Sequence, residues 1–470
     1  MKHFIAFLAL IVGLSGCRLG PRYEPPIVET PEEWKNQATE MSCESLDCPW
    51  WELFNDPTLN ALEIEALTSN YSLQASIERV YQAWALAGIS KAPLYPNVTL
   101  NPSFNDSISL FKLALPPAAS SLIPPNATIF RFQQIQYLLP LTMNYEIDLW
   151  GKLRGQYESA VFTAEAQVEA YKTAQLTLTT EIASVYFQLR TLDLEIIILE
   201  KSLGLFQQVL QLSQSRYQQG LTTALDLASA EYNFANAEEA HLEAQRQRSL
   251  LENMMATLIG KPASLVNICS NPLQGDPPIL PMGTPCSILL QRPDLAQAER
   301  TAAAEQRRIG VAYASFFPSL SFTGAIGYSS PDIKQFLTWP SRYWAIAADS
   351  TQSIFDAGKN LSNLDYAWAR FHEASANYQQ QVLTAFQEVE DALVNIEQQN
   401  KQYQSYLRAA QAADRRAELS LNQYNQGLVN NLDPLSNQQS ALNAELNAVL
   451  LLQQRYLSTI QLIKAIGGSW

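Results

Sequence analysis

One stretch of this chain occurs twice, 207 positions apart. Residues 216–226 read RYQQGLTTALD and residues 423–433 read QYNQGLVNNLD, and the upstream Gly151 returns as Gly358 at the same offset. A repeat that keeps one register over about 75 residues is a structural unit copied whole. The chain must therefore fold as two related halves.

Proline usage separates two long helical blocks from the rest of the chain. The 25 prolines avoid residues 141–261 and 341–433, which are rich in Ala, Gln, Leu and Glu. Because these residues favour helices, residues 152–217 are predicted to form one helix on the order of 100 Å long. Gly220 ends this helix before a second one returns, and the copy repeats the pattern around Gly427. Helices this long require coiled-coil packing against neighbours.

Between the helical blocks, four segments alternate between apolar and polar residues, as strands do. Residues 319–329 carry Leu, Phe, Ile and Tyr at even positions and mainly Ser, Thr and Ala at odd positions. Residues 98–110 and 135–147 alternate similarly, and residues 343–355 do so less regularly. Alternation over about ten residues is typical of outer-membrane strands. A soluble sheet with one face in water gives the same pattern.

Four strands are too few to cross a membrane alone. The chain has no run of about 18 apolar residues, so a membrane crossing has to be made of strands. An open sheet edge is not tolerated in lipid, and a barrel with an aqueous lumen needs more than about eight strands. One chain is therefore insufficient. Three chains giving twelve strands would close such a barrel, with the long helix pairs forming a tube beneath it.

The N-terminus predicts export and a lipid anchor. Lys2 precedes the apolar run 4–14, which is too short to cross a bilayer and suits a signal peptide. The run ends in LSGC, a lipobox-like sequence in which Cys17 would take several acyl chains and anchor the protein in outer-membrane lipid. Residue 18 is Arg rather than the Asp that favours inner-membrane retention. The alternative is an ordinary cleaved signal with an incidental cysteine.

Export places the four remaining cysteines in an oxidising compartment. We predict disulfides within the pairs Cys43–Cys48 and Cys269–Cys286, although sequence alone cannot fix the connectivity of four cysteines. Free, buried thiols are the alternative. No histidine lies near either pair, so no metal site is expected.

Charge and motifs exclude several classes of function. The chain carries 31 basic and 45 acidic residues, a net charge of −14, which argues against nucleic acid as a partner. It has no glycine-rich phosphate loop, histidine cluster or nucleophile elbow. We therefore predict a protein that is not an enzyme and holds no cofactor.

Several motifs, in order along the whole chain, resemble those of one family. They are CRLGPRYEPP at 17–26, WWELFNDPTL at 50–59, QRPDL at 291–295, ASFFPSL at 314–320 and the two Tyr-x-x-Gly segments. Together they resemble TolC-like outer-membrane efflux proteins, in the lipoprotein (NodT/OprM-like) branch. The resemblance implies an α+β membrane protein that forms a homotrimer. Four strands per chain would build a twelve-stranded outer-membrane β-barrel, continued by a long periplasmic α-helical barrel.

The resemblance and the repeat together divide the chain. We expect a signal peptide at 1–16, a lipidated segment at 17–57, a first repeat at 58–261, a linker at 262–291 and a second repeat at 292–466. Each repeat is expected to hold a helix, two strands and a long helical hairpin. The strand pairs are placed at about 97–148 and 318–356, and the hairpin tips near residues 220 and 427.

The resemblance assigns two roles to the hairpin tips. The first is contact with a periplasmic adaptor, through Arg216, Tyr217, Gly220, Leu221, Tyr424, Gly427 and Leu428. The second is a periplasmic gate of Asp433, Asp226 and Tyr424, in which a threefold ring of Asp433 carboxylates would favour cations. Val429 and Ser436 stand where relatives carry an Arg and an acid, so the gate must differ in detail. The alternatives are structural, with each glycine in a left-handed cap and each aspartate at a helix N-terminus.

Without a nucleotide site, the chain cannot energise transport. The resemblance implies a passive exit duct of a tripartite efflux system, which receives substrate from an inner-membrane pump through the adaptor. The outer-membrane component of a type I protein secretion system is one alternative, and a non-conducting periplasmic scaffold lipoprotein is the other. The sequence does not identify the substrate.

Overall fold

The structure is a computed structural model of the chain. It describes residues 19–31, 34–35, 49–112, 129–280, 291–426 and 432–468. The chain divides into two compact units. Unit 1 comprises residues 1–25, 82–164 and 300–374, and unit 2 comprises residues 26–81, 165–299 and 375–470.

The helices preserve the duplication. In the described residues they are α1 (Pro57–Ser69), α2 (Tyr71–Lys91), α3 (Lys152–Gln218), α4 (Ala224–Leu258), α5 (Pro293–Ala314), α6 (Lys359–Asn425) and α7 (Leu432–Ala465). Both α3 and α6 contain 67 residues, and their first and last residues differ by the repeat offset of 207. At 1.5 Å per residue each is about 100 Å long. Within the described part of the chain, no helix is both long and apolar enough to cross a membrane.

The strands of the described residues lie in unit 1 and form one antiparallel sheet. They are β1 (Asn97–Leu100), β2 (Ser103–Lys112), β3 (Ile129–Ile147), β4 (Ser319–Ser330) and β5 (Arg342–Thr351). On one side β3 pairs with β1 and β2, on the other it pairs with β4, and β4 pairs with β5. The central pair β3–β4 therefore joins one strand from each repeat.

Two of these strands, β1 and β2, are a single strand interrupted by proline. Both pair with β3 in the same register, so no residue is inserted or lost across the gap. Pro102 lies in the gap and Pro140 lies on the facing part of β3. Neither proline can donate a hydrogen bond to the ladder. The alternating segment 98–110 is thus divided in the ladder but continuous in register, and β5 stops short of residue 355.

Unit 2 is centred on aromatic side chains from several helices. Phe187 of α3 stacks on Tyr456 of α7 with ring centroids 4.5 Å apart, and the Phe54 ring lies 4.8 Å from that of Phe187. Tyr186 is fully buried and donates to the carboxylate of Asp56, which also caps α1. This packing fixes the start of α1 against the middle of α3.

Buried charges hold the segment that follows α4. The Asp193 side chain of α3 is fully buried and binds both Arg190, at 3.2 Å, and Arg248, at 2.6 Å. The Arg190 and Arg248 guanidinium groups donate to the carbonyl oxygens of Cys269 and Ile268, each at 2.7 Å. A segment that the sequence marks only as a linker is therefore fastened to α3 and α4.

Removing Asp193 is expected to destabilise unit 2, because two largely buried guanidinium groups lose their counter-ion. An Asp193→Ala variant should lose about 3–5 kcal/mol, the usual cost of breaking a buried ion pair. Urea unfolding followed by circular dichroism measures the loss. The matched control is Glu243→Ala, which removes an acid from an exposed pair with Arg246 and should barely move the midpoint. Equal effects of the two substitutions would contradict the prediction.

The buried carboxyl group of Glu63 should make the free energy of unfolding depend on pH. It is buried, and neither carboxyl oxygen has a hydrogen-bond partner in the described part of the chain. Burial raises the pKa of Glu63 from 4.5 to about 9, so the folded chain keeps a proton that the unfolded chain releases. This contribution to stability is complete below pH 4.5 and falls as the pH rises toward 9, by about 3 kcal/mol at pH 7. In urea unfolding between pH 4.5 and 7, Glu63→Gln should flatten this part of the profile; an unchanged profile would refute it.

Candidate functional site

The first hairpin closes with a Schellman motif at the end of α3. Gly220 has a φ of +70°. Its N–H donates to the Tyr217 carbonyl, and the Leu221 N–H donates to the Arg216 carbonyl. Both bonds satisfy carbonyl groups that a helix end leaves open. Gly220 therefore forms a left-handed cap, as the structural reading of the sequence requires.

Asp226 belongs to a capping box at the start of α4. Its N–H donates to the Thr223 hydroxyl, and its carboxylate accepts from the Thr223 N–H. The hydroxyl groups of Thr222 and Thr223 also donate to this carboxylate, each at 2.7 Å. The hydrogen bonds from Thr223 and Thr222 hold the pKa of Asp226 below its usual range. The helix-capping role is thus present, and the gate role of Asp226 stays a prediction.

The two tyrosines of the repeat occupy different environments. Tyr217 is 45% exposed, whereas Tyr424 is 6% exposed. The Arg216 guanidinium carbon lies 4.4 Å from the centroid of the Tyr424 ring, which is within cation–π range. Burial raises the pKa of Tyr424. The contact attaches the end of α3 to the end of α6, and no local sequence signal reports it.

The second hairpin end is described in part. Residues 427–431 lie outside the described residues, and Asp433 falls in the first turn of α7 without a described side chain. Leu435 packs with Phe206 and Ala237 in a small apolar cluster that ties the start of α7 to α3 and α4. The gate and adaptor roles assigned to this hairpin end stay predictions.

The predicted lipid and disulfide sites also stay predictions. Cys17, Cys43, Cys48 and Cys286 lie outside the described residues. Cys269 is exposed, and no disulfide partner for it lies within the described residues. In the described ranges, no group of three or more His, Cys, Asp or Glu side chains could hold a metal ion.

One face of the sheet carries a row of apolar side chains that continues through β1, β3, β4 and β5. Directly opposite residues of paired strands share a face, and the register aligns Leu100, Leu141, Ile326 and Trp344 in one row. These four side chains are between 44% and 75% exposed. Burying such a side chain is worth about 1.5–3 kcal/mol, and large exposed apolar patches mark partner or membrane surfaces.

Aromatic side chains lie near both ends of the part of β3 that runs from Tyr137 to Ile147. At one end the Tyr137 ring lies 4.9 Å from that of Phe104, and at the other the Trp150 ring lies 4.8 Å from that of Phe317. The strand from Tyr137 to Ile147 is about 34 Å long at 3.4 Å per residue. Tilted by about 40°, it covers about 25 Å, the height of the apolar band of outer-membrane strands.

Known proteins are similar to this chain in both sequence and fold. The family model described as outer membrane efflux protein matches residues 64–261 and 285–468. The chain is 30% identical to the pyoverdine export outer membrane protein OpmQ of Pseudomonas aeruginosa, over 100% of this chain and 97% of that protein. It is 28% identical to outer membrane protein OprJ of the same species, over 99% and 96%. The solved outer-membrane channel OprN superposes with a TM-score of 0.87 at 26% identity, covering 97% of this chain and 100% of that one.

These matches extend over both repeats, because each of the two matched ranges contains one long helical hairpin. They confirm the resemblance that the ordered sequence motifs indicate. The chain belongs to the outer membrane efflux protein family.

Proposed function

We propose that this protein is the outer-membrane exit duct of a tripartite efflux system, a homotrimer that passively conducts substrate to the exterior. The observation that carries the proposal is the apolar sheet face, whose rows continue through β1, β3, β4 and β5. Proteins similar to this chain are described as an outer-membrane channel and as an export outer membrane protein. A non-conducting scaffold has no use for an exposed apolar sheet of membrane height.

The edges of the sheet support assembly from several copies. In the described chain, the strand formed by β1 and β2 and the strand β5 each have one unpaired side. An open edge is not tolerated in lipid, so the edges of different copies have to pair. Keeping one apolar face across the junction requires even-numbered residues of β5 to lie opposite even-numbered residues of β1 and β2. Three copies would supply twelve strands, enough for a barrel with an aqueous lumen.

We place the gate and the adaptor contact at the hairpin ends. Arg216 stacks on Tyr424 there, so this contact resists separation of the two hairpins of one chain. The start of α7 would add three Asp433 carboxylates around the threefold axis, a ring that favours cations. The adaptor would meet the exposed residues of the same ends, including Leu221, and it would connect the duct to an inner-membrane pump. Acylation of Cys17 and the division of the chain at 58–261 and 292–466 belong to the same proposal.

Planar-bilayer recording tests the duct. The wild-type protein is expected to open rarely, and Arg216→Ala more often, because the lost cation–π contact is worth about 0.5–2 kcal/mol in each chain. The matched control is Arg246→Ala, which removes an exposed arginine paired with Glu243 and should behave as wild type. A protein that conducts in neither form would contradict the duct and favour the scaffold.

Site-specific photocrosslinking tests the adaptor contact. A photoreactive amino acid at Gln219 or at Gln426 should capture a periplasmic adaptor in intact cells, because both residues are exposed at hairpin ends. The same group at Gln245, an exposed position within α4, is the control and should capture none. Mass spectrometry identifies the product. Equal yields from all three positions would refute contact at the ends.

A further inference from the structure

The face of the sheet opposite the apolar one is polar and nearly uncharged. Serine, threonine, asparagine, glutamine and alanine make up most of its rows. The Thr323 hydroxyl donates to the Asn144 amide oxygen at 3.1 Å, and the Gln136 amide donates to the Ser329 hydroxyl at 3.2 Å. Hydroxyl and amide groups therefore bond one another across strands and cover this face without fixed charge.

Two charged side chains lie on this polar face of the described strands, Glu146 of β3 and Asp349 of β5. The register places both in one row, because each lies opposite Ser321 of β4. Two strand spacings separate the acids by about 10 Å. The row is close to the end of β3 from which the chain enters α3.

The two acids differ in whether a nearby cation neutralises their charge. The ammonium of Lys152, the first residue of α3, lies 3.2 Å from the Glu146 carboxylate, so this pair carries no net charge. Asp349 is exposed and forms no ion pair within the described ranges. It is therefore the one uncompensated charge on the polar face of these strands.

We propose that Asp349 determines the charge selectivity of the sheet section of the duct and gives this otherwise neutral section a preference for cations. This inference rests on the proposed function, because the polar face borders an aqueous passage only when copies close the sheet. Threefold symmetry then sets three Asp349 carboxylates at one level. Fixed charges of one sign along a passage concentrate counter-ions and repel co-ions.

The proposal also indicates the class of solute that this section admits. A wall of hydroxyl and amide groups offers hydrogen bonds to neutral and zwitterionic solutes and does not discriminate among them by charge. The Asp349 level favours cationic solutes and disfavours multiply charged anions. Selection among neutral solutes is left to the components that deliver them.

Reversal potentials across a KCl gradient test the role of Asp349 in planar bilayers, in both the wild-type and the Arg216→Ala background. Asp349→Asn should lower the K⁺/Cl⁻ permeability ratio at least about twofold at 0.1 M salt. The difference should disappear at 1 M salt, because the Debye length falls from about 10 Å to about 3 Å. The matched control is Asp106→Asn, which removes the same charge from the apolar side, opposite Ile135, and should not change the ratio.

A second variant tests the compensation of Glu146. The double substitution Glu146→Gln/Lys152→Gln removes a neutral pair and should leave the permeability ratio unchanged. An open channel whose ratio does not respond to Asp349→Asn overturns the inference and leaves the duct standing. An equal shift from Asp106→Asn overturns the assignment of the two faces. Absence of conductance in every variant contradicts the proposed function itself.

Discussion

An apolar sheet face that stays exposed in the single chain is the constraint on which the rest of this protein depends. The row from Leu100 to Trp344 is exposed in every strand it crosses, at a cost of about 1.5–3 kcal/mol for each large side chain left in water. Contact with lipid removes this face from water. In lipid, however, the unpaired backbone groups at the edges β2 and β5 are not tolerated. One physical requirement therefore accounts for both the membrane location and the need for further copies.

The two copies of the repeat have long helices of equal length, but these helices end in different surroundings. α3 and α6 are both 67 residues long, yet Tyr217 is exposed while Tyr424 is buried beneath Arg216. A copied helix keeps its length because length is a property of the local sequence. Its end acquires a new environment because the two copies face different neighbours. We therefore propose that the two hairpins of one chain play different parts in opening.

Packing is distributed unevenly along unit 2. A large core around Tyr186 and Phe187, with the buried Asp193 network beside it, fastens the segment after α4. The hairpin ends share the small cluster of Phe206, Ala237 and Leu435. Segments with few buried apolar contacts open at low free-energy cost, while core elements open only with the whole unit. The proposed gate thus lies where motion is least costly, on a frame that buried charges keep in place.

The sequence by itself determined the helices, the alternating strands and the turn at Gly220, because periods of 3.6 and 2 and the glycine cap are local properties. It determined the family as well, through motifs ordered along the whole chain. The helix cap was one of two roles that the sequence offered for Asp226, and the tertiary structure showed that this role is present. Only the tertiary structure showed that Arg216 covers Tyr424 and that Glu146 and Asp349 share a row. Alternation reveals that a strand has two faces but not which residues of distant strands lie opposite each other. That register is set by long-range pairing across the whole sheet, so the charge pattern of the polar face could not be read from the sequence.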